Sequence, residues 1–275
     1  MSIFNISPTF LIIGAQKAAT SSLYSYLIQH PCVVPPKQKE VNFFNIDSNY
    51  NQGKAFYQSQ FHKYINPFKE HITFEATPEY LYLPSVPKRI HEYNKDMKLI
   101  VVFREPADRA YSAWNMFKKL NALERIPNVL EKSYIEGVPN NLKSTLFGEV
   151  FPSFEEAIDL EKTYMKAENG FLEPSFLRRG LYADQVLRYF EYFDKEQFLF
   201  LEHREISENL IPTLNRILKF IGEEEYHWNN LSQKIANKGN YENQSPAILD
   251  ELKTYYAPYN LELYKLINKE FDWNN

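Results

Sequence analysis

Thr9 to Ile13 reads TFLII, an unbroken apolar run, and Gly14 ends it. A short continuous run of this kind suits a strand buried on both faces of a parallel sheet. From Thr20 the spacing turns helical, with Leu23, Leu27 and the aromatic pair Tyr24 and Tyr26 ahead of a stop at His30-Pro31. A buried strand that passes at once into a helix commits the chain to an α/β architecture. It also aims backbone N–H groups and the positive helix end at one spot, where an anion can bind. The intervening residues suit that use: Ala15, Ala18 and Ala19 let a ligand approach closely, Lys17 adds a full charge, and Thr20, Ser21 and Ser22 add hydroxyls. The same residues also suit an ordinary strand-to-helix turn capped by Thr or Ser.

The alternation continues along the chain. A second strand is expected to include Ile72 to Phe74, and a third is Lys98 to Arg104 (KLIVVFR), after which Pro106 opens a helix. On that helix Ala110, Ala113, Trp114 and Phe117 should face the core. Helical spacing recurs at Ser153–Lys166, Leu181–Phe193 and Leu210–Ile221, the last ending near Gly222, and Gln197–Glu202 reads as a fourth strand. The C-terminal stretch Pro246–Lys269 is expected to be helical with an interruption at Pro258. Strands alternating with helices predict a single α/β domain with a central parallel sheet flanked by helices. Residues 121–151 are weakly patterned, with Pro127, Gly137 and Pro139, and are expected to form a surface excursion that walls the acceptor.

With 44% hydrophobic residues, 20 Tyr and 21 Phe among them, the chain can fill a sizeable core. A net charge of −4 argues against a nucleic-acid coat protein, although a local basic pocket remains compatible with it. The single cysteine, Cys32, permits no intrachain disulfide, and the 6 histidines show no i, i+3 or i, i+4 pair, so no metal is expected. The N-terminus has no basic leader region, and no apolar run approaches the ~20 residues that span a bilayer. The expectation is a soluble, cytoplasmic protein without a membrane partner.

The loop at Lys17 is not a nucleotide triphosphate P-loop, which places Lys beside a second glycine and a hydroxyl residue after it. Lys17 is instead followed by Ala18. A second constellation is Arg104-Glu105-Pro106-Ala107-Asp108-Arg109-Ala110-Tyr111-Ser112. Arg104 ends a central strand, the edge where ligands collect in open parallel sheets, and Arg109 and Ser112 share a helix face. An Arg with a hydroxyl there suits a second phosphate. A structural Arg104 paired with Glu105 or Asp108 is the open alternative.

Together these segments resemble the 5′-phosphosulfate loop and the 3′-phosphate site of sulfotransferases that use 3′-phosphoadenosine 5′-phosphosulfate (PAPS). The chain is most similar to the heparan sulfate N- and 3-O-sulfotransferase branch. Further motifs follow in the family's order: Glu40-Val41-Asn42-Phe43-Phe44, Phe74-Glu75-Ala76-Thr77-Pro78-Glu79-Tyr80, Pro87-Lys88-Arg89, Arg179-Gly180-Leu181-Tyr182 and Asn237-Lys238-Gly239. The resemblance implies a P-loop-like sulfotransferase fold, PAPS as donor and 3′-phosphoadenosine 5′-phosphate (PAP) as product, without a metal. It assigns Gln16, Lys17, Ala18, Ala19, Thr20 and Ser21 to the 5′-phosphosulfate, with Lys17 also catalytic. Arg104 and Ser112 take the 3′-phosphate, Lys238 and Gly239 close over the donor, and Tyr182 lies near the nucleotide. Glu40 matches the glutamate that deprotonates the acceptor.

Sulfuryl transfer makes compatible demands: in-line positioning, charge stabilisation, and a base within reach of the acceptor, which a carboxylate can be if burial raises its pKa. The apolar stretch after Glu40 suggests that it points inward, while Lys37 and Lys39 allow a surface ion pair. Glu75 and Glu79 are rival carboxylates, and His30 reads as a helix terminator. His71 and His203 read as strand-edge residues and remain rival bases. Four features depart from the heparan enzymes: Ala76 replaces a Lys, Lys39 precedes Glu40, and neither a donor-loop disulfide nor a membrane anchor is evident. The acceptor is therefore expected to be a small metabolite or a saccharide, sulfated on a hydroxyl or less readily on an amine. A nucleotide-dependent phosphotransferase and a non-catalytic nucleotide-binding protein are the alternatives.

Overall fold

The computed structural model describes residues 7–62, 71–123, 150–166, 175–229, 231–232 and 246–273. In chain order the elements are β1 (Phe10–Gly14), α1 (Thr20–Leu27), α2 (Asp47–Tyr50), α3 (Gly53–Ser59), β2 (Phe74–Ala76), α4 (Val86–Tyr93), β3 (Lys98–Phe103) and α5 (Pro106–Ala122). They continue with α6 (Phe154–Lys166), α7 (Tyr182–Phe190), β4 (Phe198–Glu202), α8 (His203–Glu208), α9 (Leu210–Ile221) and α10 (Pro246–Ile267). The chain divides into two compact units, Met1–Arg104 with Arg188–Lys238 and Glu105–Leu187 with Gly239–Asn275.

The first unit holds the sheet. Its four strands are all parallel in the order β2-β1-β3-β4. Leu11 lies between Glu75 and Leu99, and Ile12 between Ala76 and Ile100, so β1 is hydrogen-bonded on both edges. Every β1 residue is buried, which is why its sequence is apolar without alternation. From β1 the chain visits β2 on one side and then β3 on the other. The carboxyl ends of β1 and β3 thus flank a switch point, where open α/β sheets bind ligands.

The second strand begins later than its sequence suggests, because residue 72 bonds to the 32–34 segment, while residue 73 only extends the contact with the start of β1. The Ile72 amide donates to Cys32 O (2.9 Å), Ile72 O accepts from Val34 (2.8 Å) and Thr73 O accepts from Thr9 (2.7 Å). His30 is a structural residue, as its position implied. Its ring packs 4.5 Å from Tyr226 and its Nδ1 accepts the Cys32 amide at 3.3 Å.

In the second unit Ala110, Ala113, Trp114 and Phe117 of α5 are buried, joined by Phe154 and Ile158 of α6 and by Leu252 and Tyr256 of α10. Glu105 caps α5 by accepting the Ala107 and Asp108 amides at 3.0 and 2.7 Å, so its carboxylate serves the helix; burial raises its pKa. The interruption expected at Pro258 does not occur, since α10 runs through it. Pro258 is exposed while Tyr256 and Leu263 on either side are buried, so water can satisfy the carbonyl that proline leaves without a donor.

Candidate active site

Lys17 and its neighbours sit at the carboxyl end of β1, in the first unit. The Ala15 amide still bonds to the sheet, donating to Val102 O at 2.7 Å, and the Ala18 amide turns back to Ala15 O at 3.2 Å. Gly14 is required by close approach, because a Cβ there would lie 2.6 Å from Leu81 Cβ. Lys17 and Ala19 both adopt left-handed backbone, at φ 69° and 65°. Non-glycine residues held in this region cluster at binding and catalytic sites.

The alternative of a Thr- or Ser-capped turn fails. Ala19 is the N-cap of α1, no side chain caps it, and Thr20, Ser21 and Ser22 lie inside the helix. The first-turn amides of α1 therefore lack the usual capping oxygen and suit an anion. Arg104, at the carboxyl end of β3, reaches this loop: its Nη1 donates to Lys17 O at 3.3 Å. Gln16 Nε2 donates to Glu79 Oε1 at 3.0 Å, while Gln16 Oε1 is buried with no partner among the described residues.

Gln16 to Ser21 and Arg104 are thus brought together in one unit. Ser112 and Tyr182 belong to the second unit, Ser112 buried on α5 and Tyr182 buried at the start of α7 with its ring 6.1 Å from Trp273. Lys238, Gly239 and most of the expected excursion lie outside the described residues.

The carboxylates separate clearly. Glu40, expected to point inward, instead lies 2.6 Å from Lys39 Nζ with its side chain 44% exposed. The reason is local: the neighbouring Lys39 ammonium pairs with it, on backbone that is left-handed at φ 61°. Glu75 is the buried one. Its Oε1 accepts Tyr57 Oη (2.7 Å) and Tyr80 Oη (2.9 Å), its Oε2 accepts Thr77 Oγ1 (2.9 Å), and the Val41 amide also bonds to it. Glu75, a rival base by sequence, is completely buried. Among the described residues no group of His, Cys, Asp and Glu could hold a metal ion, and no helix is long and apolar enough to cross a membrane.

Burial pushes the Glu75 carboxyl up to about 7, against the opposing pull of its hydrogen-bond donors. The folded protein therefore holds a proton here that the unfolded chain has released above its ordinary pKa of 4.5. Stability from this group is present below that pKa and is lost as pH rises through about 7. Thermal melts across this window should show the decline, and Glu75→Gln should flatten it. An equal slope in the variant would assign the decline to other groups.

Residues 7–256 match the family of sulfotransferase domains. The chain belongs to that family. The sulfotransferase is 25% identical to the crystal structure of a sulfotransferase from Alicyclobacillus acidocaldarius, with a TM-score of 0.72 over 98% of this chain and 100% of that one. It is 24% identical to human heparan sulfate glucosamine 3-O-sulfotransferase 5, over 97% of this chain and 74% of that protein. Human bifunctional heparan sulfate N-deacetylase/N-sulfotransferase 3 is 26% identical over 95% of this chain, which spans only 30% of that larger protein. The sulfotransferase is thus a PAPS-dependent enzyme of the α/β class that the motifs implied, and the phosphotransferase and non-catalytic alternatives give way.

Proposed function

We propose that this sulfotransferase sulfates a hydroxyl, or less readily an amine, of a saccharide or small metabolite, with Glu40 as base. The observation that carries the site assignment is the uncapped, left-handed turn around Lys17 at the β1–β3 switch point, with Arg104 bonded into it. A saccharide acceptor is favoured by the glucosamine-directed names of the relatives. PAPS supplies an activated sulfuryl group on a phosphate that leaves as an anion.

The residues divide the work by charge. Lys17 and the first amides of α1 hold the 5′ end and offset the charge that grows on the departing phosphate oxygen. Arg104 takes the 3′-phosphate. Glu40 accepts the acceptor's proton as the acceptor oxygen bonds to sulfur and the sulfur–phosphate oxygen bond breaks. Its electron pair stays with PAP.

Donor specificity is tested by thermal stability with PAP against ATP and Mg²⁺. A ligand at 100 times its Kd adds about 2.7 kcal/mol, so PAP should raise Tm clearly and ATP should not. Stabilisation by ATP alone overturns the donor assignment. Glu40→Gln should leave the PAP shift intact while lowering turnover by about 10²–10⁴-fold, the range of general-base contributions.

A further inference from the structure

The short loop from Glu40 to Phe44 is held from several directions within the first unit. Asn42 Nδ2 donates to Glu40 O, Asn49 Nδ2 to Asn42 O, and Arg89 Nη1 to Phe44 O, at 2.8, 2.8 and 2.9 Å. The Phe43 and Phe44 amides donate to the Tyr80 hydroxyl at 3.0 and 3.4 Å, and that hydroxyl donates onward to Glu75 at 2.9 Å. The Val41 amide goes to Glu75 directly. Val41, Phe43 and Phe44 thus converge on one carboxylate, two of them through a single hydroxyl.

The loop requires such a hold. Glu40 and Asn42 are both left-handed, at φ 61° and 54°. Such backbone persists only where its surroundings over-determine it. A base must also keep hydrogen-bond reach of its proton, and a misplacement of ~1 Å can cost about 10²-fold in rate. Glu75 is an expensive way to fill a core, since it is fully buried and the partners it bonds to, Tyr57, Tyr80, Thr77 and the Val41 amide, are all uncharged. Its two oxygens nevertheless offer several acceptor sites at one point, and here they take the three hydroxyls and the amide together.

We infer that Glu75, acting through Tyr80 and the backbone of Val41 to Phe44, is a positioning residue that sets the place of the Glu40 carboxylate. The inference rests on Glu40 as the base, and its test separates the two. Conversion of labelled PAPS to PAP is followed for the full chain with glucosamine, a heparan oligosaccharide, 4-nitrophenol or water as acceptor, using whichever turns over fastest. Glu75→Gln and Tyr80→Phe should each lower kcat at least tenfold, leave PAP affinity within twofold, and speed amide exchange at Val41, Phe43 and Phe44. In a Glu40→Gln background, Glu75→Gln should add less than a twofold loss, because its effect passes through Glu40. Multiplicative losses in the double variant, unchanged kcat, or a parallel loss of PAP affinity overturn the inference. If Glu40→Gln alone leaves kcat unchanged, the base assignment fails, and the exchange rates still decide whether Glu75 and Tyr80 fix the loop.

Discussion

Lys17→Ala is expected to lower kcat by about 10²–10³-fold, the usual cost of removing one donor aimed at charge that develops in the transition state. PAP affinity should fall less, because Arg104 and the α1 amides remain. The substitution is a clean probe for a structural reason. Lys17 lies at φ 69°, and Ala19, an alanine, already holds φ 65° two residues on. Alanine at position 17 therefore introduces no new class of backbone strain, and the turn should survive the loss of charge. Single-turnover measurements with saturating PAPS isolate the chemical step, and Lys17→Met provides a control for side-chain bulk. A kcat within threefold of the parent would remove Lys17 from the leaving-group role and leave it a binding residue.

Most of the sheet was legible because its strands are short apolar runs whose neighbours are turn formers. The run at Phe10–Gly14 and the run at Lys98–Phe103 both lie centrally, so burial on two faces erased alternation and made them conspicuous. Local patterns also located α9, which ends at Gly222 with φ 96°. The failures come from interactions between residues far apart in sequence. Which of Glu40 and Glu75 is buried depends on Tyr57 of α3 and on Tyr80, and no spacing rule reports their hydroxyls. The unbroken course of α10 depends on which side of the helix Pro258 occupies. The glycine of Arg179-Gly180-Leu181-Tyr182 could be read as a ligand contact from sequence alone. In the folded second unit a Cβ at Gly180 would lie 2.7 Å from the Tyr256 hydroxyl, which is reason enough for a glycine.

The same second unit contains a polar group that no sequence pattern marked. Glu161 of α6 is fully buried and accepts Ser175 Oγ at 2.6 Å and the amides of Phe176, Leu177 and Arg178 at 2.6, 2.9 and 3.0 Å. Arg109, also fully buried, donates from Nη2 to Phe176 O, and Tyr256 Oη donates to Leu177 O at 2.8 Å. The turn before α7 is thus fastened on both its donor and its acceptor sides. Glu161→Ala removes the acceptor and strands three amides, each costing about 1–3 kcal/mol when buried without a partner. Alanine is a good helix former, so α6 itself should not weaken, and the loss is the amides' own. Against a total stability of about 5–15 kcal/mol, a loss on the order of 3–9 kcal/mol should lower Tm by roughly 6 °C or more. Glu161→Gln retains one acceptor oxygen but turns donors toward donors, so it should melt between the parent and Glu161→Ala. Calorimetry decides it: a Glu161→Ala protein melting within about 2 °C of the parent, under 1 kcal/mol by the same conversion, would mean that water replaces the carboxylate and that the turn does not depend on it.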